Sequence, residues 1–176
     1  MDIVIRLATN ADLGPIRDIY NYYVHRSTCT FQLEPDTEDA RIIWFRDRSP
    51  AHPVIVAESG GDVIGWAALS AWNRREAYAH SVEASVYLRH DVQRRGIGRS
   101  LLCDLIERAR QAGHHTIIGG ACTEQAASLA LQESLGFERV ACFKEVGQKF
   151  GRWLDVVYMQ LFLDHQTSSN VVRALP

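Results

Sequence analysis

The sequence predicts one mixed α/β domain with an antiparallel first half, and three observations lead there. Strand-like alternation and helix-like spacing of apolar residues follow one another along the whole chain, with no internal repeat and no low-complexity stretch. Two strand-like runs are joined directly by Ser59-Gly60-Gly61-Asp62, a hairpin signature, where a parallel fold would place a helix. A length of 176 residues suits a single domain, and the element order is not the repeated βαβ of a dinucleotide fold.

Taken in order, Ile3-Val4-Ile5-Arg6-Leu7 reads as a strand, and Asn10 or Asp12 caps a helix in which Leu13, Ile16, Ile19, Tyr20 and Tyr23 recur at helical spacing. Pro15 suits its first turn. After a polar connection from Ser27 to Glu34, Pro35-Asp36-Thr37-Glu38 opens a second helix with an expected apolar face of Ala40, Ile43 and Trp44, ended by Ser49-Pro50. The hairpin strands are Val54–Ala57 and Val63–Leu69. In the next strand Val82, Ala84, Val86 and Leu88 alternate with Glu83, Ser85 and Tyr87, so its two faces carry different chemistry.

From Ile97 the period changes to that of a helix, with Leu101, Leu102, Leu105, Ile106 and Ala109 in one stripe and an end near Gly113. A short strand at Thr116–Ile118, a helix from Ala126 to Leu135 closed by Gly136, and strands around Val140–Lys144 and Leu154–Leu163 complete the domain, 2–163. The tail, 164–176, has little pattern and is expected to be loosely ordered.

Composition excludes several classes. With 19 Lys+Arg against 21 Asp+Glu the formal charge is -2, so wholesale electrostatic capture of nucleic acid or an anionic membrane is not expected, while a local basic patch is compatible with it. No apolar run reaches the roughly 20 residues that span a bilayer, and the N-terminus lacks a signal-peptide pattern, so a cytoplasmic protein is expected. Cys29, Cys103, Cys122 and Cys142 are too widely spaced for a Cys-x-x-Cys site and read as buried free thiols. His114-His115 has no nearby ligating partner, and no metal is expected.

Chemistry concentrates at Gln93-Arg94-Arg95-Gly96-Ile97-Gly98-Arg99-Ser100, between a strand and an amphipathic helix. Glycines let the backbone approach a ligand, a helix start offers unpaired N–H groups, and arginines add charge-assisted donors, a combination suited to a phosphate. A solvated basic turn is the alternative. The third glycine of the dinucleotide fingerprint is missing, and no triphosphatase loop is present.

This segment resembles the pyrophosphate loop of the GCN5-related N-acetyltransferases. Thr30-Phe31 and Glu34, Trp72 to Tyr78, Val82 to Leu88, Leu135-Gly136-Phe137 and Gly147 to Asp155 are similar to successive blocks of the phosphinothricin/methionine sulfoximine N-acetyltransferase subfamily, covering residues 2–163. The resemblance implies that family's α/β fold: a mostly antiparallel seven-stranded sheet, splayed between its fourth and fifth strands to admit acetyl-CoA, with about four helices. It implies main-chain contacts to the cofactor from Val86, Tyr87 and Leu88. The pyrophosphate would be held by Gln93, Arg94, Arg95, Gly96, Ile97, Gly98, Arg99 and Ser100, with Gln125 and Ser128 near the pantetheine.

By the same resemblance Glu83 is the general base, since an ammonium must lose a proton before its nitrogen attacks a thioester. Arg75 and Tyr78 would line the acceptor pocket, the guanidinium suiting a carboxylate or phosphinate. Phe31 and Trp72 are candidate walls, and Lys149 and Trp153 candidate shaping residues. Two positions depart from the subfamily: Gln125 replaces Asn, and Gln132 stands where His or Tyr is usual, putting an amide in place of a titratable group at the substrate side. The implied partners are a small amino-acid acceptor and a second copy of the chain. A polyamine, an aminoglycoside or a protein N-terminus as acceptor, or a non-catalytic acyl-CoA-binding module, remain the alternatives.

Overall fold

The computed structural model of the protein describes residues 2–163. Its first strand, β1 (Val4–Leu7), is fastened by charge to the turn after it: Arg6 donates two 2.8 Å hydrogen bonds to the buried Asp12, whose carboxylate also accepts from the Thr9 N–H and hydroxyl. Thr9 therefore caps the 3-10 turn Asn10–Asp12, and α1 (Leu13–Val24) runs on from it. Leu13, Ile16, Ile19 and Val24 form its buried stripe.

Thr37 accepts the Ala40 N–H and caps α2 (Glu38–Arg46). The expected apolar face of this helix is corrected: Ala40 and Ile43 are exposed, and the sheet is met instead by Arg41 and by Trp44 and Phe45. Arg41 is 3% exposed because Asp36 neutralises it and the rings of Tyr20, Trp44 and Trp66 surround its guanidinium at 4.5–5.6 Å. A cation does here what periodicity assigns to isoleucine.

The remaining elements are β2 (Val54–Ser59), β3 (Asp62–Ala71), β4 (Ser81–Leu88), α3 (Ile97–Gln111), β5 (Thr116–Cys122), α4 (Ala126–Glu133), β6 (Glu138–Lys149) and β7 (Arg152–Phe162). They form one sheet in the order β1-β2-β3-β4-β5-β7-β6, antiparallel everywhere except between β4 and β5. The hairpin closes at Ser59 and Asp62 as its signature requires. β5 and β6 run longer than their alternation indicates, because glycines in β5 and two register shifts in β6 interrupt the pattern.

Two cores lie on opposite faces of the sheet. α3 places Leu101, Leu102, Leu105, Ile106 and Ala109 against one face, where Val82, Ala84, Val86 and Leu88 of β4 meet them. α1 and α2 cover the other, over Val54, Val56, Trp66 and Ala68, with Tyr87. Each fully buried Leu or Ile contributes roughly 1.5–3 kcal/mol, so α3 is the main clamp on the first face. Of the four thiols, all free, only Cys122 is buried outright; Cys103 and Cys142 are exposed, against expectation. The tail expected to be loosely ordered lies outside the described residues.

Hydrogen bonds from Arg6 hold the Asp12 carboxylate down at about 2. Asp12→Asn is expected to lower stability by about 2–3 kcal/mol in urea unfolding at neutral pH. Since the folded-state pKa is depressed, the difference between wild type and variant is full above the ordinary carboxylate range and disappears as pH falls through it toward 2.

Candidate active site

β4 pairs with β5 only through Ser81, Val82 and Glu83, opposite Thr116, Ile117 and Ile118. Beyond that point β5 follows β7, with which it pairs along its whole length, and the strands part. The edge of β4 exposed by this splay has a definite chemistry. Trp72 donates to the Ser81 carbonyl and Arg89 to the Ile64 carbonyl, which fixes Glu83, Ser85 and Tyr87 as the residues hydrogen-bonded to β3. By antiparallel alternation the N–H and C=O groups of Ala84, Val86 and Leu88 point into the gap. Of the three residues expected to offer main chain, Val86 turns both groups to the gap and Leu88 its N–H, its carbonyl being taken by Tyr23; the Tyr87 main chain is taken by Trp66, a correction that follows from register alone.

At the mouth of the gap lies the arginine loop. Gly96, at φ 80°, ends it and starts α3, whose first turn has no side-chain cap and no acidic residue. Ser100 N–H reaches the Gly96 carbonyl, leaving the amides of Ile97, Gly98 and Arg99 as the helix's free donors. Arg94, at φ 60°, and Arg95 are exposed and have no ion-pair partner among the described residues. The other predicted loop side chains are committed elsewhere. Gln93 donates to Tyr23 Oη at 2.8 Å, Tyr23 donates to the Leu88 carbonyl, Arg99 bonds Ser134 Oγ, and Ile97 is core.

Inside the gap, on the α1/α2 face, stands Glu83. Its carboxylate has no hydrogen-bond or ion-pair partner among the described residues, and burial alone pushes its pKa up. Gly120 of β5 makes room beside it: a Cβ there would stand 3.7 Å from Glu83 Oε1 and 3.2 Å from the Tyr158 ring. Tyr158, raised by burial and by Glu83, meets Trp72 and Phe143 edge-on at 5.4 and 5.5 Å. An acid, a phenol and an aromatic wall thus converge at the point where the strands separate.

A bridge closes this side. Tyr20 bonds Thr30 Oγ1 at 2.7 Å and Tyr87 donates to the Cys29 carbonyl, holding the segment 27–31 on the β4 side. On the far side Gln125 donates to Thr28 Oγ1 at 2.9 Å, Thr28 reaches Glu124, and Lys149 donates to the carbonyls of Ser27 and Thr30 at 2.8 and 2.6 Å. Lys149 is 2% exposed with no carboxylate against it among the described residues, and burial lowers its pKa. The bridge lays Phe31 on β6, where only a glycine admits the ring: a Cβ at Gly147 would lie 2.2 Å from it.

Other expected contacts fall elsewhere. Gln132 presses on Gly119, whose neighbour Gly120 faces Glu83, so Gln132 occupies the opposite face of β5 and does not line the acceptor side. Its Oε1 is buried without a donor, and its amide makes only long contacts to Ser128, which is itself exposed. Gln125 is turned to the bridge. Trp153, 60% exposed, falls on the opposite face of β7 from Tyr158. Arg75 and Tyr78 are exposed in the turn before β4 and make no hydrogen bond or ion pair with Glu83. Sequence reasoning missed Tyr23 and the glycine pair; two glycines inside a strand were the available signal for close approach to the main chain.

Known proteins share this architecture and sequence. The acetyltransferase (GNAT) domain family matches residues 5–158. An L-amino acid N-acyltransferase of Escherichia coli (strain K12) is 41% identical over 169 residues, covering 96% of this chain and 98% of the relative. An L-methionine sulfoximine/L-methionine sulfone acetyltransferase of Pseudomonas aeruginosa is 41% identical over 171 residues, covering 96% and 99%. Among solved structures, an acetyltransferase from Salmonella typhimurium with its cofactor acetyl-CoA superposes with a TM-score of 0.91 at 37% identity, over 97% of this chain and 99% of that one. The chain belongs to the GNAT acetyltransferase family and is an N-acetyltransferase of that fold.

Gly147→Ala is expected to dislodge Phe31 and raise the KM for the amine by roughly tenfold while leaving the KM for the acyl donor unchanged. Steady-state kinetics with each substrate varied in turn checks this.

Proposed function

We propose that the protein transfers acetyl from acetyl-CoA to the α-amino group of a small amino-acid analogue such as phosphinothricin, methionine sulfoximine or methionine sulfone, with Glu83 as general base. The observation that carries this reading is the partnerless Glu83 carboxylate at the end of an open strand edge. The residues present fit the cofactor. Uncapped amides of α3 with Arg94 and Arg95 suit its pyrophosphate, and the main-chain groups of Val86 with the Leu88 N–H suit an amide-bearing arm lying strand-like in the gap. Bound there, acetyl-CoA supplies an activated thioester.

Glu83 takes the proton from the acceptor ammonium. Burial raises its pKa, which brings its basicity nearer to that of the group it deprotonates. Tyr158, beside it, is a candidate to return a proton to the departing thiolate. Phe31 and Trp72 supply apolar walls, and the Lys149 bridge keeps Phe31 in place. Arg75 and Tyr78, exposed in the turn before Glu83, are assigned to the acceptor's carboxylate. A homodimer belongs to the same reading: Val140, Phe143 and Val146 on the edge strand β6 are each more than half exposed, and a second copy would cover them.

Replacing Glu83 with Gln is expected to lower kcat about 100-fold or more at neutral pH with little change in acetyl-CoA affinity, measured by CoA release against methionine sulfone. The same variant is expected to melt higher than wild type at neutral pH, because burial raises the folded-state pKa of Glu83 and its ionised form is destabilising. That gain is absent below the ordinary glutamate range, appears as pH rises through that range, and is complete above the folded pKa. Equal turnover of the two proteins would remove the base assignment.

A further inference from the structure

On the sheet face that carries Glu83, next to it along both strands, there is a cavity of about 260 Å³ between α2 and the strands β3 and β4. Ser70, paired directly across from Glu83, and Ser85, two residues along β4 from it, both line the cavity. A two-residue step along a strand is roughly 7 Å, so the cavity begins one side-chain length from the base.

Its charge is unbalanced. Asp36 is matched by Arg41, which leaves the half-buried Arg48 as the surplus cation, with no carboxylate partner among the described residues. Arg48 stacks over Trp44 at 4.2 Å and uses one nitrogen, Nη1, on the Leu69 carbonyl and on Ser70 Oγ at 3.1 Å. Nε and Nη2 make no protein hydrogen bond among the described residues. Ser70 Oγ accepts from Arg48 and so keeps its own hydrogen to donate, and the Ser85 hydroxyl has no hydrogen-bond partner among the described residues. Burial and the neighbouring Arg41 hold the Arg48 pKa down at about 10, the mark of a cation lacking an anion. Trp44, Trp66 and Tyr87 supply the walls. The cavity is lined by aromatic rings and donors, with a single unmatched positive charge.

We infer that this cavity is the side-chain subsite of the acceptor, and that Arg48, with Ser70 and Ser85, selects amino acids whose side chain ends in hydrogen-bond-accepting oxygens. The inference rests on the acetyltransferase reading above and adds to it the residues that choose the substrate. With the α-amino group at Glu83, a side chain of three or four heavy atoms reaches the donors, its methylenes lying between the rings. A polycationic acceptor would bring a second positive charge to Arg48 and is disfavoured.

The test compares methionine sulfone, methionine and norleucine, which differ only in the tail, as acceptors for wild type, Arg48→Gln and Ser85→Ala. Wild type is expected to prefer the sulfone. Arg48→Gln is expected to lose about tenfold or more in kcat/KM on the sulfone, through KM, and less than twofold on norleucine, with the acetyl-CoA KM unchanged. Ser85→Ala, which breaks no hydrogen bond within the protein, is expected to show the same selectivity at smaller size and decides the matter if Arg48→Gln fails to fold. Equal losses on all three amino acids, or none, would overturn the subsite. CoA release from no amine at all would overturn the acetyltransferase reading itself, and the subsite with it.

Discussion

Between Glu83 and Leu88 one edge of β4 has no strand partner, and much of the fold serves that open edge. A bare strand edge in the middle of a sheet is costly unless something satisfies its amides. Here α3 packs under Val82, Ala84, Val86 and Leu88 and fixes the strand without touching its edge. On the other face the β3 register places Glu83, Ser85 and Tyr87 as a row of polar groups. One strand therefore offers main chain sideways into the gap and side-chain chemistry to the face above. That division follows from alternation, which sends side chains to the faces and every second amide to the edge.

The groups without partners mark where the ligands belong. Glu83, Lys149 and Arg48 are each wholly or partly buried, and none has an opposite charge against it among the described residues. Such groups cost stability, and in this molecule they gather along one side of the sheet. Lys149 is satisfied by two carbonyls and holds the bridge in place; Arg48 lines the cavity, and Glu83 stands beside Ser70 and Ser85, which line it too. The paired charges, Arg6 with Asp12 and Arg41 with Asp36, lie where strand and helix must be fastened.

Much of this was legible in the sequence. The hairpin at Ser59–Asp62, the alternation in β4 and the stripe of α3 are periodic signals that packing reinforces, and each element stands where periodicity placed it. The arginine loop was legible because a glycine helix start between strand and helix has few uses. What escaped had a common cause. Arg41 is buried in α2 through an aspartate and aromatic rings distant in sequence, so local hydropathy pointed to Ile43 instead. Gln132 and Trp153 fell on the far faces of their neighbours, and Gln125 and Gln93 turned to protein partners, because facing and hydrogen bonding depend on elements that only the fold brings together. Arg48 carried no motif; its meaning comes from Ser70 and from the empty space beside it.

The claim that ligand binding completes the β4 edge is most directly tested by amide hydrogen exchange, resolved by residue with NMR, before and after saturation with acetyl-CoA. Val86 and Leu88 should exchange freely in the unliganded protein and become protected on binding, with Ser85 and Tyr87 already slow and unchanged because they are bonded to β3. Protection that appears at Ser85 and Tyr87 instead, or no change along β4, would contradict the account.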